Sequence, residues 1–291
     1  MTMQGRVCIV TGATNGIGEV TALELARIGA TVVVIGRNED KAKATIGKIK
    51  SAVPNADASY LIADLSLMRD VKRVADEFRA KFDRLDVLVN NAGMIFEKRI
   101  VTAEGLEMTF ALNHMNYFYL THLLLDMLKL SGSASKKSRI INVASEAHRF
   151  GNINLEDIQN ESGYFGLRAY GHSKGMNIIH VYELHRQLSL INVNVTVNSL
   201  HPGTVRTGFG QNNRGIMKFV TQTFGRFGLT PEQGADNSIY LASSSYVEGV
   251  SGQYFIKREA KLPNKFVQNP DNWKKLWVYS EDILKKLGMS L

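Results

Sequence analysis

Seven short runs of this chain are nearly unbroken in apolar and β-branched residues: Val7–Thr11, Thr31–Ile35, Ala58–Ile62, Leu85–Asn90, Arg139–Val143, Val195–Leu200 and Gln253–Ile256. Runs without polar alternation are how strands covered on both faces look. Between them, apolar positions recur at helical spacing over Gly18–Ile28, Asp40–Ser51, Leu67–Phe82, Ala103–Lys129, Tyr170–Ile191 and Pro231–Ser243. The alternation predicts a single α/β domain over residues 1–291, with a seven-stranded parallel sheet and helices on both faces. Right-handed crossovers make it doubly wound. Ser131–Ser138 is small and polar, a surface connection. The stretch 204–228 places Phe209, Ile216, Met217, Phe219, Val220, Phe224 and Phe227 among Gly, Asn, Lys and Arg. It follows a strand, so it reads either as a lid over an apolar pocket at the sheet's carboxyl edge or as a helix packed on the core. In Asn272–Leu287, Trp273, Leu276, Trp277, Ile283, Leu284 and Leu287 predict an amphipathic closing helix.

Composition narrows the picture. An apolar content of 44% over 291 residues can bury a sizeable core. The single cysteine, Cys8, lies between Val7 and Ile9 and reads as a small core residue. With no second thiol there is no disulfide framework, and a reducing, cytoplasmic setting is expected. No secretory or membrane-spanning segment is visible, so the sequons at Asn160 and Asn194 are expected to be silent. The net charge is +8, but the longest basic run is Lys136-Lys137, which argues against nucleic acid. A peripheral membrane contact is compatible with it. His180, Glu183 and His185 fit neither H-E-x-x-H nor H-x-x-E-H, and two histidines five apart on a helix diverge; no metal is expected.

The first apolar run leads straight into TGATNGIG, residues 11–18, with Gly12, Gly16 and Gly18 inside seven positions. Glycine weakens ordered elements unless the backbone needs unusual dihedrals or a close approach. Strand, glycine turn and helix start together make a place for a dinucleotide pyrophosphate on helix N-terminal amides. Gly12, Thr14, Asn15, Gly16, Ile17 and Gly18 are therefore candidate cofactor-binding residues. The spacing is Gly-x3-Gly-x-Gly, and no Lys-Ser/Thr follows to make a Walker phosphate loop. The second strand ends Ile35-Gly36-Arg37-Asn38, without the carboxylate that would take a ribose 2′-hydroxyl. Arg37 can hold a 2′-phosphate instead. With Asn38 and Lys41 beside it, this favours NADP(H) over NAD(H).

TGATNGIG, Asp64-Leu65, Asn90-Asn91-Ala92-Gly93, Asn113, Ser145, Tyr170-Gly171-His172-Ser173-Lys174 and His201-Pro202-Gly203 with Thr207 stand in the order and spacing of the short-chain dehydrogenase/reductase family. The chain resembles that family over nearly its whole length. The stretches ALNHMNYFYLTHLLL, RIINVASEAHRF and HPGTVRTGF, with Lys274-Lys275-Leu276-Trp277, look most like its retinol dehydrogenase branch. Two departures are an Ala at 144 where a second Ser is frequent, and no apolar anchor ahead of the first strand.

The resemblance implies a Rossmann fold and an oxidoreductase acting on CH–OH groups. It implies catalytic roles for Asn113, Ser145, Tyr170 and Lys174, and cofactor contacts from Asp64, Leu65, Asn91, Ala92, Gly93, Tyr170, Lys174, Pro202, Gly203, Val205 and Thr207. Tyr170 and Lys174 are four apart and share a helix face. A free phenol has a pKa near ~10, so acid/base work near neutrality asks for a fall of roughly 3 units, which a neighbouring ammonium favours. Ser145 is placed to hold the substrate oxygen, and by resemblance the position of Asn113 holds a relay water. Phe96, Phe150, Tyr164, Phe165 and Phe209 are candidate apolar walls, with Ser145, Phe150, Tyr164 and Phe209 as the substrate set. A retinal-like aldehyde, a steroid or a ketone fits such walls. A polar carbonyl substrate, or a non-catalytic NADP(H)-binding regulatory protein, are the alternatives. The resemblance also implies a homodimer or homotetramer built on Ala103–Lys129 and Tyr170–Ile191, the second carrying more apolar surface than one face would bury. His148 and His172 flank the candidate site without a defined role.

Overall fold

A computed structural model describes residues 2–150, 153–205 and 228–291. Thr207, Phe209 and most of the 204–228 stretch lie outside the described residues. The strands are β1 Val7–Thr11, β2 Thr31–Gly36, β3 Ala58–Ile62, β4 Val87–Asn90, β5 Ser138–Val143, β6 Val195–His201, β7 Gln253–Ile256 and β8 Glu259–Lys261. They form one sheet in the order β3-β2-β1-β4-β5-β6-β7-β8, parallel as far as β7. The expected count of seven becomes eight because β8 pairs antiparallel with β7 through a two-residue turn. Both turn residues, Lys257 and Arg258, have positive φ.

Alternation along β1 splits the core. Val7 and Ile9 face one layer, whose core also holds Phe78, Phe118, Ile178 and Leu276; Cys8 and Val10 face the other, with Leu25, Ile49 and Leu241. Burial pushes the Cys8 thiol upward, as suits a core residue. The second layer holds α1 Gly16–Arg27, α2 Glu39–Ala52 and α7 Pro231–Ser243. The first holds α3 Met68–Arg79, α5 Asn116–Ser131, α6 Gly166–Leu190 and α9 Pro270–Lys286. Short helices α4 Met108–Phe110 and α8 Lys265–Gln268 complete the set.

The long helix expected from Ala103 starts five residues later. Residues before it close a small turn, with Val101 bridged to Glu107. Between α4 and α5 the helix widens into a π-turn, Ala111–Met115. There the Asn116 amide reaches Ala111 O, and the Asn116 side chain fills Leu112 O at 3.0 Å. The apolar surplus on α6 is covered by α9 of the same chain. Tyr182 meets Trp273 at 5.0 Å, and Trp277 packs on Phe118 at 5.0 Å and His180 at 5.9 Å. A second copy is therefore not needed to bury it.

Candidate active site

The glycines of the first turn serve two ends. A Cβ on Gly12 would lie 2.7 Å from Ala92 Cα, and one on Gly18 would lie 2.5 Å from Asn91 Nδ2. The close approach is thus partly internal: the end of β4 presses on the turn. Asn91 seals it, donating to Thr11 O at 2.8 Å, while the Thr11 hydroxyl accepts from Asn91 N and Ala92 N. Thr14 packs on Gly36, where a Cβ would run into its methyl. Gly16 adopts φ 54°, and Asn15 caps α1 with no side-chain hydrogen bond. The first amides of α1 keep their donors uncapped by any side chain, as an anionic pyrophosphate requires.

At the end of β2, Arg37 is exposed and has no carboxylate partner among the described residues. Lys41 is exposed too, and its amide donates to Asn38 Oδ1 at 2.9 Å, so Asn38 is the N-cap of α2. Asp64 accepts from Ser66 N and Oγ at 3.0 and 2.7 Å. It does not cap α3. That end is held by Glu104, whose carboxylate accepts from Met68 N and Arg69 N at 2.6 and 3.0 Å. The Leu65 and Ala92 side chains are in the core, leaving only their backbone for a ligand.

Four candidate catalytic residues converge where β4 and β5 end. Asn113, fully buried in the π-turn, accepts from Met94 N and donates to Met94 O and Ser173 Oγ, each at 2.9 Å. Both its amide protons are used. Lys174 is buried and donates to Val143 O at 2.9 Å, with the Tyr170 ring centroid 5.6 Å away. Gly93 leaves room for both, since a Cβ there would lie 3.1 Å from Asn113 Oδ1 and Lys174 Nζ. Ser145 caps the 3-10 turn Glu146–Arg149 and hydrogen-bonds the Tyr170 phenol.

Burial acts on both members of the pair. Burial pushes Tyr170 up to about 12, only partly offset by the Ser145 hydrogen bond, and burial pulls Lys174 down to about 7. The fall expected of Tyr170 belongs to the cofactor-bound enzyme, where the nicotinamide's positive charge joins that of Lys174.

His148 acquires a role the sequence did not reveal. It is buried, and its Nε2 accepts from Asn264 N at 3.3 Å, so Nδ1 carries the proton and donates to Ser145 O at 2.7 Å. The Asn264 side chain returns to His148 O at 2.6 Å. The turn carrying Ser145 is thereby tied to the start of α8. Of the candidate walls, Tyr164 is committed elsewhere: its hydroxyl bonds Thr109 Oγ1 at 2.8 Å and Phe96 O at 3.1 Å. Phe150 and Phe165 are exposed, Phe150 lying beside Gly171. Pro202 and Gly203 line a cavity of ≈ 780 Å³ at the carboxyl edge, with His201, Leu229, Ile256 and Lys257. Val205 packs near Ile17, both against Gly234 of α7. Among the described residues no cluster could hold a metal ion, and no helix is long and apolar enough to cross a membrane.

Comparison with known proteins decides the family. Residues 6–216 match the short chain dehydrogenase family. The chain belongs to the short-chain dehydrogenase/reductase family, in its retinol dehydrogenase-like branch. Mouse retinol dehydrogenase 14 is 39% identical over 96% of this chain and 86% of its own length. Human polyprenol dehydrogenase is 35% identical over 98% and 87%. Among solved structures, an uncharacterized Mycobacterium paratuberculosis protein superposes with a TM-score of 0.77 at 27% identity, covering 98% of this chain and 95% of that one. The Pseudomonas aeruginosa RhlG/NADP complex gives 0.70 at 26% identity, covering 91% and 98%. This short-chain dehydrogenase is an oxidoreductase acting on CH–OH groups, and its fold binds a nicotinamide cofactor.

Proposed function

We propose that this enzyme uses NADP(H) to interconvert the alcohol and carbonyl forms of a lipophilic substrate, with a retinal-like aldehyde as the first candidate and steroids or ketones next. The observation that carries the reading is the convergence of Ser145, Tyr170 and Lys174 at one sheet edge, beside a helix N-terminus with free amides. The relatives named for retinol and polyprenol support a long apolar substrate.

The residues present suit the cofactor. The first amides of α1 would hold the pyrophosphate, Arg37 and Lys41 the 2′-phosphate, and Lys174 the nicotinamide ribose. When bound, the nicotinamide supplies or accepts hydride at C4 and, when oxidised, a positive charge. Ser145 then fixes the substrate oxygen by a hydrogen bond. Tyr170 Oη donates its proton to that oxygen in reduction and removes it in oxidation. Lys174, as an ammonium beside the phenol, favours the phenolate and works against the burial that raises Tyr170. Asn113 holds the loop after β4 and the turn of α6 that carries Ser173, so that Lys174 keeps its place. A carbonyl panel assayed with NADPH and NADH tests the reading: faster turnover of retinal-type aldehydes with NADPH is expected, and turnover of polar carbonyls alone would overturn the substrate class.

A further inference from the structure

Tyr117 is absent from the catalytic set above, yet it lies against it. It follows Asn113 by four residues, so the two share a helix face. Its side chain is fully buried, and its hydroxyl has no hydrogen-bond partner among the described residues. A buried unpaired hydroxyl is a cost to the fold, not a support. What the residue offers its surroundings is the ring. That ring's centroid lies 5.6 Å from Lys174 Nζ, the same distance as the ring of Tyr170. The ammonium is thus flanked by two aromatic rings and anchored on the Val143 carbonyl at 2.9 Å, a carbonyl that Asn177 Nδ2 also approaches at 3.4 Å.

We propose that Tyr117 is a positioning residue for Lys174: its ring holds the ammonium over the Val143 carbonyl and opposite Tyr170, keeping the buried lysine charged. The catalytic consequence rests on the reading of Tyr170 and Lys174 as the proton-handling pair. Removing a lysine from water without a counter-charge favours its neutral form, and a neutral lysine gives Tyr170 no help. Burial lowers Lys174, and among the described residues no carboxylate opposes it. Among the described residues, the groups that face the ammonium are Tyr170 on its own helix, Tyr117 from α5, uncharged Asn113 from the π-turn, and the Val143 carbonyl at the end of β5. Ser145 lies just beyond, on Tyr170. His114, next to Asn113, instead bonds Ser280 of α9 at 3.0 Å. An electron-rich ring face is therefore the available compensation from α5, and such contacts strengthen when desolvated.

The test follows Lys174 directly, by NMR titration of the cofactor-free protein labelled with carbon-13 at lysine Cε, the signal being assigned with Lys174→Arg. Tyr117→Phe keeps the ring and should leave the midpoint unchanged. Tyr117→Met fills similar space without a ring and should lower it by between about 0.4 and 1.5 pH units. Trifluorophenylalanine at 117 keeps the shape and drains the ring, so it should lower the midpoint even if the Met variant folds poorly. A midpoint unmoved by fluorination, or moved as far by Tyr117→Phe as by fluorination, overturns the proposal. In parallel, the pH–rate profile for alcohol oxidation should narrow from both sides in the fluorinated protein. A shifted titration with an unchanged rate profile would leave Tyr117's hold on Lys174 standing and count against the catalytic pair.

Discussion

Asn113 clasps the backbone of Met94 from both sides, accepting its N–H and donating to its carbonyl, each at 2.9 Å. One amide side chain thus locks the loop after β4 to the π-turn, and its remaining proton goes to Ser173 on α6. Replacing it with alanine would leave Met94's half-buried N–H and carbonyl without these partners, at about 1 kcal/mol each. Asn113→Ala should lower kcat by about 10- to 100-fold, on the view that part of that loss is spent misplacing Lys174. Stopped-flow cofactor binding should change far less. A variant with normal kcat would show that the clasp is dispensable.

Arg37 is exposed at the end of β2 and has no carboxylate partner among the described residues, which is why the 2′-phosphate of NADP(H) is proposed to lie there. A hydrogen bond to a charged group is worth about 1.5–3 kcal/mol. Arg37→Ala should therefore raise the KM for NADPH by about 10- to 150-fold while leaving the KM for NADH nearly unchanged. Equal effects on both cofactors would remove the argument for NADP(H).

Three histidines behind the site set an acid limit on stability. His114, His122 and His180 gather around Phe118 and Trp277, and burial lowers all three, His114 to about 3. His114 Nδ1 and His180 Nε2 have no partners among the described residues. These groups bind protons in the unfolded chain below about pH 6.5 but resist them in the fold. Their contribution is complete above that pH and is lost as pH falls toward the folded values. At pH 5 His114 alone should cost about 2 kcal/mol, with His180 and His122 adding in the same direction. Urea unfolding at pH 7.5 and pH 5 measures this; equal stabilities would contradict it.

Much of the fold was legible in the chain because both-face burial leaves an unmistakable run of apolar residues. β1, β3, β7 and α7 fall where the pattern puts them. β8 was hidden because its turn uses Lys257-Arg258 at positive φ, where Asn-Gly would have signalled a hairpin. The π-turn was hidden because periodicity over Ala103–Lys129 averages across one widened turn. The cap on α3 was hidden because Glu104 comes from 36 residues away. The candidate catalytic residues could be named from their spacing, but not the service that holds them. The His148 link to Asn264 spans 116 residues, and Tyr117 reads as one more apolar position of α5. Residue spacing places a charge beside the Tyr170 phenol but says nothing of the burial that acts against it.

The central claim is that Tyr170 passes a proton between the enzyme and a substrate oxygen. The direct measurement is single-turnover oxidation of NADPH by a retinal-type aldehyde, in the wild type and in Tyr170→Phe, with cofactor binding measured alongside. A fall of about 10²- to 10⁴-fold in the variant, with NADPH still bound, is the predicted result. Equal rates in the two proteins would contradict it.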